Sequence, residues 1–483
     1  MNSHAPVTSA EQWRTCELVI DGPASGNPFM DVEASATFQH DDSRLTVDAF
    51  YDGDGRHILR FLPPKPGEWT WTMTSNAQSL HGLTGRIAVQ PSDAPGPVRT
   101  DGFHFRYASG GRYRPVGTTA YAWTHQSPEL QSQTLETLSR SAFNKVRMCV
   151  FPKAYLYNNE DPELYPFLSD GHGGWDTTRF DPRFFRHFES QVEALGRLGI
   201  EADVILFHPY DRWGFADLGE QSDDRYVRYL VRRLAAYPNV WWSLANEYDL
   251  MSAKTIPDWE RIASIVKAED HSDHLTSIHN CFGFYDYSRP WITHCSIQRI
   301  DVYRTAENTN EWRERWGKPV VIDECAYEGD LDQGWGNITA EEMARRFWEG
   351  AVRGGYTGHG ETYWSEDEVI WWSKGGRVRG ASPDRIAFLD RLIGEAPGGV
   401  LEPLASEWDA PRGGVEGEYE LVYFGFNRPR FRTLTLVPGL RAHVDVIDTW
   451  NMTVETLPGV HEGTLTVELP ARQYMALRLR RAV

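Results

Sequence analysis

Cysteine is scarce, with five residues in 483, and the number is odd: Cys16, Cys149, Cys281, Cys295 and Cys325 are scattered without any C-x-x-C spacing. That excludes a disulfide framework and a thiolate zinc site, and it predicts reduced, mostly buried thiols. No apolar run approaches the roughly 20 residues that cross a bilayer, and the opening MNSHAPVTSAEQW has neither a basic nor an apolar leader region. A cytoplasmic protein without membrane contact is therefore expected. Positive charge is in deficit, with 49 Lys plus Arg against 68 Asp plus Glu for a formal −19, and there is no basic block. A nucleic-acid partner is thus disfavoured. Internal repeats and low-complexity segments are also missing.

Aromatic residues are plentiful at 13%, and the 19 Trp are the outlier. A Trp side chain buries a large flat surface, most often in a core, and also serves as a stacking face for sugar rings. The length predicts two to four domains. Residues 1–106 carry short alternating segments such as RLTVDAFYD, HILRFLPP and EWTWTMTS between turn clusters such as DGDGR and PPKPGE, the pattern of a β-sandwich. Across residues 107–395, buried-looking strands alternate with amphipathic helices. The strands are RPVGTTAYAW, NKVRMCVFP, EADVILFHP, NVWWSLANEYD, LTSIHN, ITHCSIQRID, KPVVIDECAYEG and TGHGETYW. Eight such units match an α/β fold of the (β/α)8 barrel type. A doubly wound sheet is the alternative, but no G-x-G-x-x-G follows the first strand. Residues 396–483 return to alternating strands, predicting a second, smaller sandwich.

In such a barrel the chemistry sits at the C-terminal strand ends. Those ends supply Trp123 and His125, Arg147, His208 with Asp211, Asn246 with Glu247, His279, Gln298, Glu324, and Glu361 with Trp364. Glu247 and Glu324 stand out because each ends an apolar run, VWWSLA or PVVID, where an unpaired carboxylate is costly to desolvate. Two facing carboxyls are what glycoside hydrolysis needs. A separation of about 5–5.5 Å serves a retaining mechanism and roughly 6.5–9.5 Å an inverting one. His125, His208 and His279 are balanced between core packing and contacts to sugar hydroxyls. Glu366 and Glu368 read as a solvated loop, Trp371 and Trp372 as a pocket floor or loop packing, and Asp211 with Trp213 as a wall of the third loop.

An Asn-Glu pair ending the fourth strand and a Glu ending the seventh resemble the clan A retaining glycoside hydrolases. With the leading sandwich, GTTAYAW on the first strand and the trailing sandwich, the chain most resembles the bacterial apiosidase-like members that carry an N-terminal domain of unknown function. The resemblance implies Glu247 as general acid/base, Glu324 as nucleophile, and Asn246 as the amide contacting the hydroxyl beside the anomeric carbon. It further implies Arg147 as the cation keeping the nucleophile ionised and Trp364 as a sugar platform. One departure is visible: the clan's sixth-strand His-x-Tyr is replaced by His294-Cys295-Ser296, which leaves Gln298, Tyr303 or Tyr327 as partners for the nucleophile. The expected function is a retaining exo-glycosidase acting on a small carbohydrate, with no cofactor, no metal and a possible homo-oligomer. The alternatives are a non-catalytic sugar-binding barrel and a metal-dependent amidohydrolase-type enzyme, for which a first-strand His-x-His is missing, His125 standing alone.

Overall fold

A computed structural model gives the fold for residues 8–301 and 304–482. Eight parallel strands form the centre: β1 (Gly117–Thr119), β2 (Lys145–Cys149), β3 (Glu201–Phe207), β4 (Val240–Ala245), β5 (Thr276–Ser277), β6 (Cys295–Gln298), β7 (Val320–Glu324) and β8 (Tyr356–His359). Each hydrogen-bonds to its sequence neighbour, and β8 returns to β1 through the Gly117–Gly358 register. Between β5 and β6 the ring is completed by a single bridge from His279 to Ser296. Both faces of these strands are buried, which is why they read as continuous apolar runs rather than alternating ones.

Helices cover the outside: α1 (Pro128–Ser139), α2 (Pro182–Arg197), α3 (Glu220–Leu234), α4 (Ile256–Glu269), α5 (Thr309–Trp316), α6 (Ala340–Val352) and α7 (Ser382–Gly394). Their starts follow local chemistry. Ser127 and Asp181 cap helices that open on proline, Thr255 and Asp258 form a capping box, and Thr339 caps α6. The stripe Phe184, Phe185, Phe188, Val192, Leu195 turns α2 onto the barrel, each such side chain contributing roughly 1.5–3 kcal/mol on burial. The expectation of eight complete β/α units is corrected at one place: residues 278–294, between β5 and β6, contain no helix.

The leading sandwich pairs a five-stranded sheet with a three-stranded one around Phe38, Phe61, Trp69 and Met73. A separate three-stranded sheet, spanning residues 98–113, packs Val98, Phe105 and Tyr113 against Trp241, Leu275 and Val321 at the N-terminal ends of the barrel strands. Its strand His104–Tyr107 runs across the expected 106/107 division. The trailing sandwich has a six-stranded and a two-stranded sheet, and Tyr423 stacks on Trp348 of α6 with ring centroids 5.2 Å apart.

An ion cluster fastens the leading sandwich to the barrel. Arg233 of α3 donates to Asp52 at 2.9 Å and to Glu189 at 3.0 Å, while Arg60 donates to Glu189 at 2.9 Å and to the Arg233 carbonyl at 2.8 Å. Arg60, Asp52, Glu189 and Arg233 are all buried. Removing one member of such a cluster strands its partners without water. Arg233→Met is therefore expected to lower the unfolding free energy by about 3–5 kcal/mol, read by urea denaturation.

Candidate active site

The barrel interior below the strand ends is ionic. Lys145 Nζ lies 2.5 Å from Asp203 and 2.7 Å from Asp323, and Arg147 Nε is 3.8 Å from Asp203. All four residues are buried. This layer orients Arg147, whose Nη1 donates to Glu324 Oε1 at 3.1 Å and whose Nη2 donates to Asn246 Oδ1 at 3.0 Å. One guanidinium thereby joins β2, β4 and β7 at their C-terminal ends.

Glu324 accepts three sets of donors on one oxygen. Besides Arg147, the Tyr121 hydroxyl donates to Oε1, and His279 Nε2 lies 3.2 Å away. Burial pushes this carboxyl upward, but His279, Arg147 and Tyr121 outweigh it and hold Glu324 well below the usual carboxylate range. His279 is itself held at Nδ1, 3.1 Å from Ser296 Oγ, and Ser296 donates to Asp323 at 2.6 Å.

Glu247 is in the opposite condition. Burial and the charge of Glu324 raise its carboxyl above the usual range, against the Tyr210 hydrogen bond and the Lys153 charge. Tyr210 donates its hydroxyl to Oε2, and Asn246 Nδ2 donates to the same oxygen at 3.2 Å. The backbone at Glu247 is left-handed, with φ 52° and ψ 56°, a conformation that costs a non-glycine residue about 1–3 kcal/mol and concentrates at functional sites. Here it turns the chain sharply off β4, so that consecutive residues Asn246 and Glu247 both reach the centre.

Glu247 and Glu324 line one cavity of about 230 Å³ together with Asn246, Gln298 and Tyr327, and Trp335 and Trp372 form its aromatic wall. The ring of Tyr327 lies directly on Gly360, where a Cβ would fall 2.0 Å from the ring, so glycine at the end of β8 makes room for that wall. A larger cavity of about 300 Å³ between Trp13, Tyr107 and Tyr237 lies at the opposite, N-terminal end of the strands, away from both central carboxyls and from the end where barrel active sites form.

Of the residues proposed from sequence, the structure gathers Glu247, Glu324, Asn246, Arg147, His279 and Gln298. Five others are placed elsewhere. Trp123 is fully buried in the core because the chain turns into a short 3-10 helix at that point. His125 stacks on Phe184 and puts Nε2 3.0 Å from the Val150 carbonyl, and burial lowers its pKa to about 4. His208, lowered by burial to about 3, puts Nε2 3.1 Å from the Phe151 carbonyl. Glu361 accepts the backbone N–H of Arg379 at 2.6 Å and of Gly380 at 2.7 Å, organising the loop before α7; burial pushes it up to about 7. Trp364 is 53% exposed and outside the cavity lining, and Trp372 occupies the wall instead. Glu366 and Glu368 are exposed on their loop. Asp211 accepts the N–H of Trp213 and Ala216 within the third loop.

One contact of Glu324 was not among those expected. Tyr121, from GTTAYAW on the first strand, contacts Glu324. Gln298 stands behind it, with Oε1 3.2 Å from His279; Tyr327 lines the cavity, and Tyr303 lies outside the described residues. Sequence reasoning also passed over Tyr210 in HPYDRW, Lys153 in FPKAY, and Tyr155, Cys281 and Trp335. Tyr121 and Tyr210 carried a signal, since each lies within four residues of a strand end. Tyr121→Phe takes a donor from the Glu324 carboxylate and raises its pKa. The acid limb of kcat/KM is therefore expected to move to higher pH by about one unit, measured in a pH–rate profile.

Residues 100–392 match the apiosidase-like catalytic domain family, residues 9–76 match a domain of unknown function termed DUF5060, and residues 408–480 match another termed DUF5605. A "putative glycoside hydrolase" of Bacteroides vulgatus ATCC 8482, known from a crystal structure, is 38% identical, covering 98% of this chain and 100% of its own at a TM-score of 0.93. A glycoside hydrolase family 5 protein of the same organism shares the fold at 15% identity and a TM-score of 0.61, over 80% of this chain and 93% of its own. No curated protein matches the chain. With its catalytic domain matched over more than half its length, the chain belongs to the apiosidase-like family and is an enzyme of the glycoside hydrolase class.

Proposed function

We propose that the protein is a retaining, exo-acting glycosidase of small glycosides, with Glu324 as nucleophile and Glu247 as general acid/base. The observation that carries this reading is a pair of strand-end carboxyls in one cavity whose pKa values are pushed apart, Glu324 downward by His279, Arg147 and Tyr121 and Glu247 upward by burial and the charge of Glu324. In the first step the Glu324 carboxylate forms a bond to the anomeric carbon while the glycosidic C–O bond breaks and Glu247 gives its proton to the departing oxygen. In the second, Glu247 takes a proton from water, the water oxygen attacks the anomeric carbon, and Glu324 leaves as carboxylate. Asn246 and Arg147 hold the two carboxyls in register through this exchange.

Exo action is supported by size. A cavity of about 230 Å³ is below the roughly 300–1,000 Å³ of sites that enclose drug-sized ligands, and it suits one sugar ring better than a chain. The family name makes an apiosyl linkage the first to try. Five free cysteines suit a reducing compartment and imported short glycosides. A screen of aryl glycosides, pyranosides and furanosides of both configurations with apiosides included, tests the reading. Release of aryl alcohol from one of them is expected, and no release from any of them contradicts it.

A further inference from the structure

Lys153, just past β2, is a buried cation with no carboxylate in direct contact. It is 3% exposed, and among the described residues its Nζ donates no hydrogen bond and has no carboxylate within 4 Å. What surrounds it is aromatic: Nζ lies 3.8 Å from the ring centre of Tyr121, 4.3 Å from that of Tyr210, 4.7 Å from Trp372 and 5.5 Å from Tyr155. Ring faces offer the partial negative charge that offsets a desolvated ammonium. Two of these rings are the phenols that hold the catalytic carboxyls, Tyr121 on Glu324 and Tyr210 on Glu247. A cation on the face of a phenol draws electron density from its oxygen and makes the hydroxyl a stronger donor.

The charge count of the buried cluster points the same way. Lys145, Arg147 and Lys153 share the strand-end interior with the carboxyls of Asp203, Asp323, Glu324 and Glu247. Without Lys153 only two fixed cations, with His279, are left to offset these four acids. The groups facing Glu247 are Glu324 on β7, Tyr210 after β3, Lys153 after β2, and His279 and Cys281 after β5; those facing Lys153 are Glu247, Glu324, Arg147 and Cys149, together with the phenols. Burial lowers Lys153 itself to about 8, against the opposing charges of Glu247 and Glu324.

We propose that Lys153 is a positioning residue of this site: its ammonium, seated on the faces of Tyr121 and Tyr210, strengthens the phenol hydrogen bonds to Glu324 and Glu247 and sets how readily Glu247 gives up its proton. The kinetic side of this role rests on Glu247 being the general acid/base; the electrostatic side does not. The test is a 13C NMR titration of the protein labelled at glutamate Cδ, with the Glu247 signal assigned by its absence in Glu247→Gln. In Lys153→Met, which keeps the stem and removes the charge, Glu247 is expected to titrate at higher pH than in wild type, and in Lys153→Arg near the wild-type position. Lys153→Gln gives the same reading where Lys153→Met does not fold. The basic limb of kcat is expected to follow, moving up by about one pH unit. An unchanged Glu247 titration in the folded, uncharged variant overturns the proposal. A shifted titration in a protein that hydrolyses no glycoside leaves Lys153 with its role and removes the glycosidase reading instead.

Discussion

Glu324→Gly is expected to lose turnover by at least about 10⁴-fold, and added azide to restore it with a glycosyl azide of inverted configuration as product. In the proposed mechanism Glu324 forms the glycosyl–enzyme bond, so its loss removes the first step altogether. Azide, entering the space left by the carboxylate, would attack from the same face and make a product that cannot be hydrolysed further. Glu324 meets the requirements of a nucleophile at neutral pH, since Arg147, His279 and Tyr121 keep it ionised although it is buried. Glu324→Gln should be equally slow and not rescued, since its amide fills the space. Circular dichroism and a thermal melt separate this from unfolding, because Arg147 retains Asn246 as an acceptor in both variants.

Glu247→Gln is expected to slow hydrolysis in proportion to how poor the leaving group is. For alkyl or sugar leaving groups, which need the proton, the loss should reach about 10²–10⁴-fold. For a dinitrophenolate, which leaves unprotonated, the first step should be nearly unaffected and the glycosyl–enzyme should accumulate, because the water of the second step has lost its base. The pH profile gives a second reading. Glu247 is raised by burial and the charge of Glu324, and as the proposed general acid it serves only while protonated. Wild-type activity is therefore present below its folded pKa and lost as pH rises through it. In Glu247→Gln this basic limb should disappear. A leaving-group series across pH, run on wild type and variant, measures both effects.

The barrel was legible because its strands are buried on both faces and so appear as unbroken apolar runs, while SP, DP and TIP mark helix starts through capping chemistry. Glu247 and Glu324 were legible for the related reason that a carboxyl at the end of such a run is costly unless it is used. Legibility falls off just past the strand ends. Within a strand the pleat fixes which side chains face inward, but one or two residues beyond it the turn decides. Thus Tyr121 rather than Trp123, and Tyr210 rather than His208, reaches the cavity. The platform expected from Trp364 is exposed outside the cavity, and Trp372, eight residues on, forms the aromatic wall. Lys153 was invisible for a different reason. Nothing in FPKAY shows that Tyr121, Tyr210 and Trp372, from three distant segments, join its own Tyr155 around the ammonium.

The measurement that bears most directly on the two-glutamate retaining mechanism is 1H NMR of the first-formed product, recorded during wild-type hydrolysis of an anomerically pure aryl glycoside before mutarotation. A retaining enzyme with Glu324 as nucleophile releases the sugar in the configuration of its substrate. Release of the opposite anomer would contradict the covalent step and reassign Glu324 as the base that activates water.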